Sequence, residues 1–270
     1  MEELCFQVLI DPDLGPDVEN VVALGEFKSP SGTAAIFPDN SLSSFYGDLL
    51  LGRPFPLKLV TRKIDSVGKV LTLALFLHRD LAIHPKIISL VAAASLVDQL
   101  QLVGLAHIEP ELTRFFQFLM AYLPPSLSKT ELQNRLVTAV SWIRDYLLED
   151  RLPALPPAPA PPRVLDIGTN GFVLAECNGS LEDGWINLYR QGHLRGLLFG
   201  PDRKGRRMVL AARKSLFLAF DLRKAAEILN EAENAMGEPS GWATDGIWLE
   251  GPPEGTRLLL SAITQVMIRV

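Results

Sequence analysis

The stretch LKLVTRKIDSVGKVLTLALFLHRDL, residues 57–81, decides how the rest of the chain is read. A short apolar run, residues 57–60, passes through Thr61-Arg62-Lys63 into Ile64-Asp65-Ser66-Val67-Gly68. A long apolar run then carries the chain to His78-Arg79-Asp80. The pattern predicts a strand, a polar turn and a buried helix starting near Asp65, where a carboxylate or a serine caps free backbone N–H groups and complements the helix dipole. Chemistry in α/β proteins gathers at the carboxyl end of a strand that feeds a helix. The loop around Thr61–Asp65 is therefore the first place to look for a site.

Working towards the amino terminus, residues 4–10 read as a strand, and Asp11-Pro12-Asp13-Leu14-Gly15 as a turn. Asp, Pro and Gly favour that turn by backbone geometry alone. The Asp11/Asp13 pair also has the oxygen chemistry of a cation site, although Gly15 stands where a phosphatase-type pattern has a hydroxyl. Residues 25–56 are rich in Gly and Pro and read as loop, with one short helix over 40–51.

Towards the carboxyl terminus, His84-Pro85 stops the first helix. Helices are then expected over 86–102, with Gly104 just beyond, over 111–122 behind Pro110, and over 130–148 behind the capping pattern Ser128-Lys129-Thr130-Glu131. Residues 151–162 are a proline-rich spacer with no capacity for ladder hydrogen bonds. The expected organisation is α/β: an amino-terminal domain over 1–150 with a parallel strand core, the linker 151–162, and a smaller α/β domain over 163–270. In the second domain strands are expected at 163–167, 172–177, 194–199, 208–213 and 246–250, and helices at 181–190 and 221–236. The tail, 256–270, reads equally as helix or strand.

At 270 residues the chain suits two domains, and 48% hydrophobic with 21% charged residues is ordinary for a globular protein. A net charge of −5 supplies no general attraction to nucleic acid or to an anionic membrane. The apolar runs break before the ~20 residues a membrane helix needs, and MEELCFQVLI has acids where a secretory signal has bases. A cytoplasmic location follows as the expectation, with Cys5 and Cys177 reduced.

Candidate metal ligands after the long helices are His78, Asp80, Asp98 and His107, joined by Asp65 at the strand–helix turn. A histidine at a helix end is equally well explained by the helix dipole. Thr61, Arg62 and Lys63 beside a helix amino terminus suit a phosphate, without the full glycine-rich loop. Arg213, Lys214 and Ser215 follow an apolar run and suit the same anion from the second domain, across a cleft between the two. Arg203, Lys204, Arg206 and Arg207 form a further basic tip of the kind found on solvated hairpin ends.

Residues 61–74, centred on Ile64-Asp65-Ser66-Val67-Gly68, resemble the first motif of DHH-type phosphoesterases. Asp65 matches the second aspartate of that motif, and Lys63 stands where the family has the first; no Asp-His-His tripeptide occurs. The resemblance extends to a two-domain layout in which the second domain binds substrate. It implies a divalent metal (manganese, magnesium or zinc), Asp65 as the catalytic and metal-side carboxylate, and a phosphate-containing small molecule as ligand. With Lys63 in a ligand position, at least one metal is expected to be lost, which leaves either hydrolysis or binding alone. The alternative is a non-catalytic scaffolding module that engages a protein partner or a second copy.

Overall fold

The computed structural model describes residues 7–9, 21–24, 35–37, 42–52, 58–61, 64, 66–124, 126–168, 171–201, 207–213, 221–237, 241–244 and 248–269. Contacts divide the chain into two compact units, Met1–Pro156 and Pro157–Val270, and the division falls inside the proline-rich stretch. Both units mix helices with strands.

In the first unit four short strands form one sheet: β1 (Gln7–Leu9), β2 (Val21–Leu24), β3 (Ala35–Phe37) and β4 (Lys58–Thr61). Their order is β1-β4-β2-β3, and every neighbouring pair runs parallel. The strand β3 corrects the reading of residues 25–56 as loop with one short helix, and β2 lies in a stretch with no expected element: runs of three and four residues carry no period to detect.

The other described elements of this unit are helices: α1 (Leu42–Leu50), α2 (Val67–Leu77), a short 3-10 helix (Arg79–Ile83), α3 (Ile87–Ala106), α4 (Pro110–Tyr122) and α5 (Lys129–Glu149). The centre is α2, whose residues from Val67 to Phe76 are all buried. Helices α1, α3, α4 and α5 all pack on it. A helix that is apolar on every side has to be enclosed in this way. The chain enters α2 through Ser66, whose Oγ accepts the Lys69 N–H at 3.3 Å. The Ser128/Glu131 pattern forms a full capping box at the start of α5.

Gly104 does not stop α3, contrary to its reading as a helix end. A Cβ placed there would lie 2.5 Å from the Leu96 carbonyl oxygen and 2.8 Å from the Val97 Cα. Residues eight apart in a straight helix are separated by about 12 Å. So α3 bends back on itself, and the glycine allows the two backbone segments to touch.

The second unit is built on one six-stranded sheet of order β5-β6-β7-β8-β10-β9. Its strands are β5 (Arg163–Ile167), β6 (Phe172–Glu176), β7 (Arg195–Pro201), β8 (Arg207–Arg213), β9 (Ala243–Thr244) and β10 (Trp248–Glu250). Only β6 and β7 pair in parallel, joined by α6 (Leu181–Arg190); the other pairs are antiparallel. Alternation along the strands sends Phe172, Leu197, Phe199, Val209 and Leu249 into one core with α7 (Leu222–Ala235) and α8 (Leu260–Arg269). The intervening residues Val173, Ala175 and Leu198 are buried on the other face, which α6 covers. The formation of α8 settles the ambiguous tail in favour of helix.

Among the described residues no helix is long and apolar enough to cross a membrane.

Candidate functional site

The chain leaves β4 at Thr61, which pairs in register with Leu24 of β2. On its other side β4 pairs with β1, again parallel, so the exits of β1, β2 and β4 share one edge of the sheet. Five residues after Thr61, Ser66 caps α2. The expected order of strand then helix is present, and Thr61 is the last residue of the strand. Arg62, Lys63 and Asp65 lie outside the described residues, as do Asp11, Asp13, Lys214 and Ser215.

The described residues around this junction are unusually polar for a buried site. Asp98, brought in by α3, places Oδ2 3.0 Å from the Gly68 amide nitrogen and accepts its N–H. Lys69 in the first turn of α2 is only 5% exposed, and Thr72 one turn on is buried with its hydroxyl donating to the Gly68 carbonyl at 2.8 Å. Burial of a lysine ammonium is costly unless it is compensated by hydrogen bonds or an opposite charge. Two of the first free N–H groups of α2 are thus taken by side chains: Gly68 by Asp98 and Lys69 by Ser66. A bare anion at this helix terminus would meet the Asp98 carboxylate, whereas a cation there would be attracted by it.

The four expected metal ligands among the described residues, His78, Asp80, Asp98 and His107, do not gather at one point. His78 caps the far end of α2, ten residues from Gly68, about 15 Å along the helix axis. Asp80 is exposed in the 3-10 helix that follows. His107 ends α3 and is exposed. Of these four, Asp98 is the one hydrogen-bonded to the α2 terminus. Among the described residues no three His, Cys, Asp or Glu side chains gather as a metal-ligand group. The reason is geometric: the sequence places these residues after successive helices, but α2 holds its two ends a full helix length apart.

Arg213, the last residue of β8, pairs in register with Arg195, the first of β7. Two arginines therefore share one end of that sheet. A depression of about 270 Å3 in this unit is lined by Ala243, Thr244, Trp248 and Glu250, and Trp248 pairs in register with Ala212, next to Arg213. Beside it Trp248 packs edge-on against Trp185 and Tyr189, with ring centroids 6.3 and 6.4 Å away. Among the described residues the buried Trp185 indole nitrogen and Tyr189 hydroxyl have no hydrogen-bond partner, and burial pushes the Tyr189 phenol well above its usual range. Cys177 is a free, buried thiol that donates to the Ser180 carbonyl and accepts from the Gly179 N–H.

Sequence reasoning passed over Lys69 and the aromatic trio. The Lys69 signal was a cation inside an otherwise apolar run, which only a buried partner or a ligand explains. The Trp185/Tyr189 signal was a pair of amphipathic aromatics four residues apart, one helical turn.

No family model matches the chain, and no curated protein or solved structure matches it.

Proposed function

We propose that the chain is a degenerate DHH-like protein that binds a phosphate-containing ligand where β4 gives way to α2, without a two-metal hydrolytic centre. In this reading residues 1–150 are a DHH-like α/β domain, 151–162 the linker, and 163–270 a smaller domain for substrate or partner. The observation that carries it is the position of Thr61. It ends a strand flanked by parallel neighbours on both sides and is followed at once by two cations, Arg62 and Lys63, and then by a capped helix. Two dications would need several more carboxylates and histidines than the described residues gather here.

Asp98 favours a second form of the same reading. Its carboxylate reaches Gly68, three residues after Asp65 in sequence, and in this form Asp98 and Asp65 would be the residues that hold one divalent cation (manganese, magnesium or zinc). Such an ion would supply Lewis-acid polarisation of the phosphoryl oxygen.

Calorimetric titration with inorganic pyrophosphate and with ADP, each with and without manganese, tests both forms. Binding that weakens at least about tenfold, or 1.4 kcal/mol, in Arg62→Ala/Lys63→Ala is expected. If manganese strengthens binding in the wild type and not in Asp65→Asn, the single-ion form holds. Wild-type protein that takes up neither probe removes the proposal and leaves the scaffolding alternative.

A further inference from the structure

From Leu155 to Pro162 the chain reads LPPAPAPP, in which every residue is either a proline or the residue before one. A proline ring fixes its own φ at about −65° and pushes the residue ahead of it into extended or polyproline II geometry. The backbone here is therefore set by covalent structure rather than by its surroundings, and the stretch contains neither helix nor strand. Polyproline II repeats every three residues with a rise of about 3.1 Å per residue. Pro153, Pro156, Pro159 and Pro162 stand at that spacing, so prolines line one edge of the stretch.

Residues 156–161 are all exposed, a run of two turns and about 19 Å. Leu, Pro and Ala are the only residue types between 152 and 162, so the exposed run carries no polar side chain. A spacer has no need of that composition, since glycine-, serine- or charge-rich sequences also span a gap and keep to water. Within the run only Ala158 and Ala160 have a backbone N–H, whereas every carbonyl can accept a hydrogen bond.

These features select among the ways in which proteins read a peptide. Addition to a sheet edge needs N–H groups that the prolines lack, and an amphipathic helix cannot form through them. Pairing of charges fails because the run has none. The remaining mode sets aromatic rings against the proline rings and side-chain donors against the carbonyls. Arg114 displays the second half of that chemistry within the chain, its guanidinium donating to the Pro156 carbonyl.

We propose that residues 156–161 are a docking segment for a protein domain that reads polyproline II through an aromatic-lined groove. The segment already has its bound conformation, so binding orders little of it. A contact of two turns is small, which makes the association a transient one.

Calorimetric titration of the full chain into three purified domains, one SH3, one WW and one EVH1, tests the inference. At least one is expected to bind saturably, with a Kd on the order of 10–200 μM. Pro156→Ala/Pro159→Ala removes the exposed part of the proline edge and is expected to raise that Kd at least fivefold. Ala158→Pro/Ala160→Pro keeps the edge and stiffens the run, and is expected to bind at least as tightly as the wild type. All four positions are exposed, so Tm should stay at the wild-type value. Absence of binding to all three domains at about 500 μM overturns the proposal. So does binding that Pro156→Ala/Pro159→Ala leaves unchanged, or that both double variants weaken equally. None of these outcomes bears on phosphate binding at β4–α2, which is measured with different probes.

Discussion

The Asp98 carboxylate accepts the Gly68 N–H at 3.0 Å, tying the middle of α3 to the first turn of α2 across thirty residues of sequence. A Cβ on Gly68 would fall inside contact distance of Asp98 Oδ2, so the glycine leaves the space that the carboxylate fills. Asp98→Ala removes a cap from a helix that is the centre of its unit. The expected loss is about 1–2 kcal/mol in urea unfolding, with most of it recovered in Asp98→Asn, whose amide oxygen can still accept. Gly68→Ala should displace the carboxylate and cost a similar amount. The double variant should then be much less destabilised than the two single losses combined, because both break one contact. Full additivity would show that Asp98 does not act through Gly68.

Glycines in the two units make opposite predictions. A Cβ at Gly196 would strike the Val173 carbonyl oxygen and Cγ1, atoms of the neighbouring strand that cannot yield without parting β6 from β7. Gly196→Ala should cost about 3 kcal/mol or prevent the second unit from folding. Gly47, inside α1, has nothing within 4 Å of a Cβ. Gly47→Ala should stabilise by about 0.5–1 kcal/mol through helix propensity and a less free unfolded chain. Thermal unfolding of the two variants side by side checks both signs.

How far the sequence foretold these features depended on the range of the interaction. The elements governed by local chemistry were readable: Ser128 and Glu131 cap each other within four residues, Leu181–Arg190 carries its amphipathic period within itself, and the apolar runs of β7 and β8 pair antiparallel as a hairpin reading expects. Gly104 misled because a glycine near the end of an apolar helix has the same local appearance whether it ends the helix or serves a close backbone approach. The strands VVAL and AIF exist because β4 lies beside them, which no window of four residues can reveal. At the site, the order of strand then helix was legible around Thr61. The arrival of Asp98 and the separation of His78 from it were not, because both depend on how α3 folds over α2.

Tyr189 gives a pH prediction. Its hydroxyl is buried with no hydrogen-bond partner among the described residues, and burial raises its pKa. A raised pKa in the folded state means that the neutral phenol is favoured there, while in the unfolded chain the group ionises near pH 10. The stabilisation is complete below that value and is lost as pH rises above it, at up to about 1.4 kcal/mol per pH unit until the folded-state pKa is reached. Stability measured between about pH 9 and pH 11 should fall less steeply in Tyr189→Phe than in the wild type. At pH 7 the same substitution should be neutral or slightly stabilising, since it removes a hydroxyl whose burial without a partner costs roughly 1–3 kcal/mol while leaving the ring packing intact. A clear loss at pH 7 would mean that the hydroxyl has a partner after all.

The two units should fold separately when the chain is divided at the boundary between Pro156 and Pro157. The second unit keeps its whole apolar core, from Phe172 to Met267, on its own side of that boundary. A buried network also lies within it. The Glu233 carboxylate accepts from the Trp242 indole and from the Thr256 hydroxyl, while Asn230 exchanges two hydrogen bonds of 2.9 Å with the Trp242 backbone, holding α7 to the segment before β9. In the first unit α1, α3, α4 and α5 pack on the buried α2. The Arg114 guanidinium donates to the carbonyl of Pro156, the last residue of the first unit. Residues 157–270 expressed alone should therefore melt cooperatively, with a Tm within a few degrees of one of the transitions of the full chain. Glu233→Ala should lower that transition alone, by about 4–8 °C per kcal/mol for a unit of this size. A fragment that is unfolded by circular dichroism, or a full chain in which Glu233→Ala and Asp98→Ala shift one common transition, would show instead that the two cores are coupled.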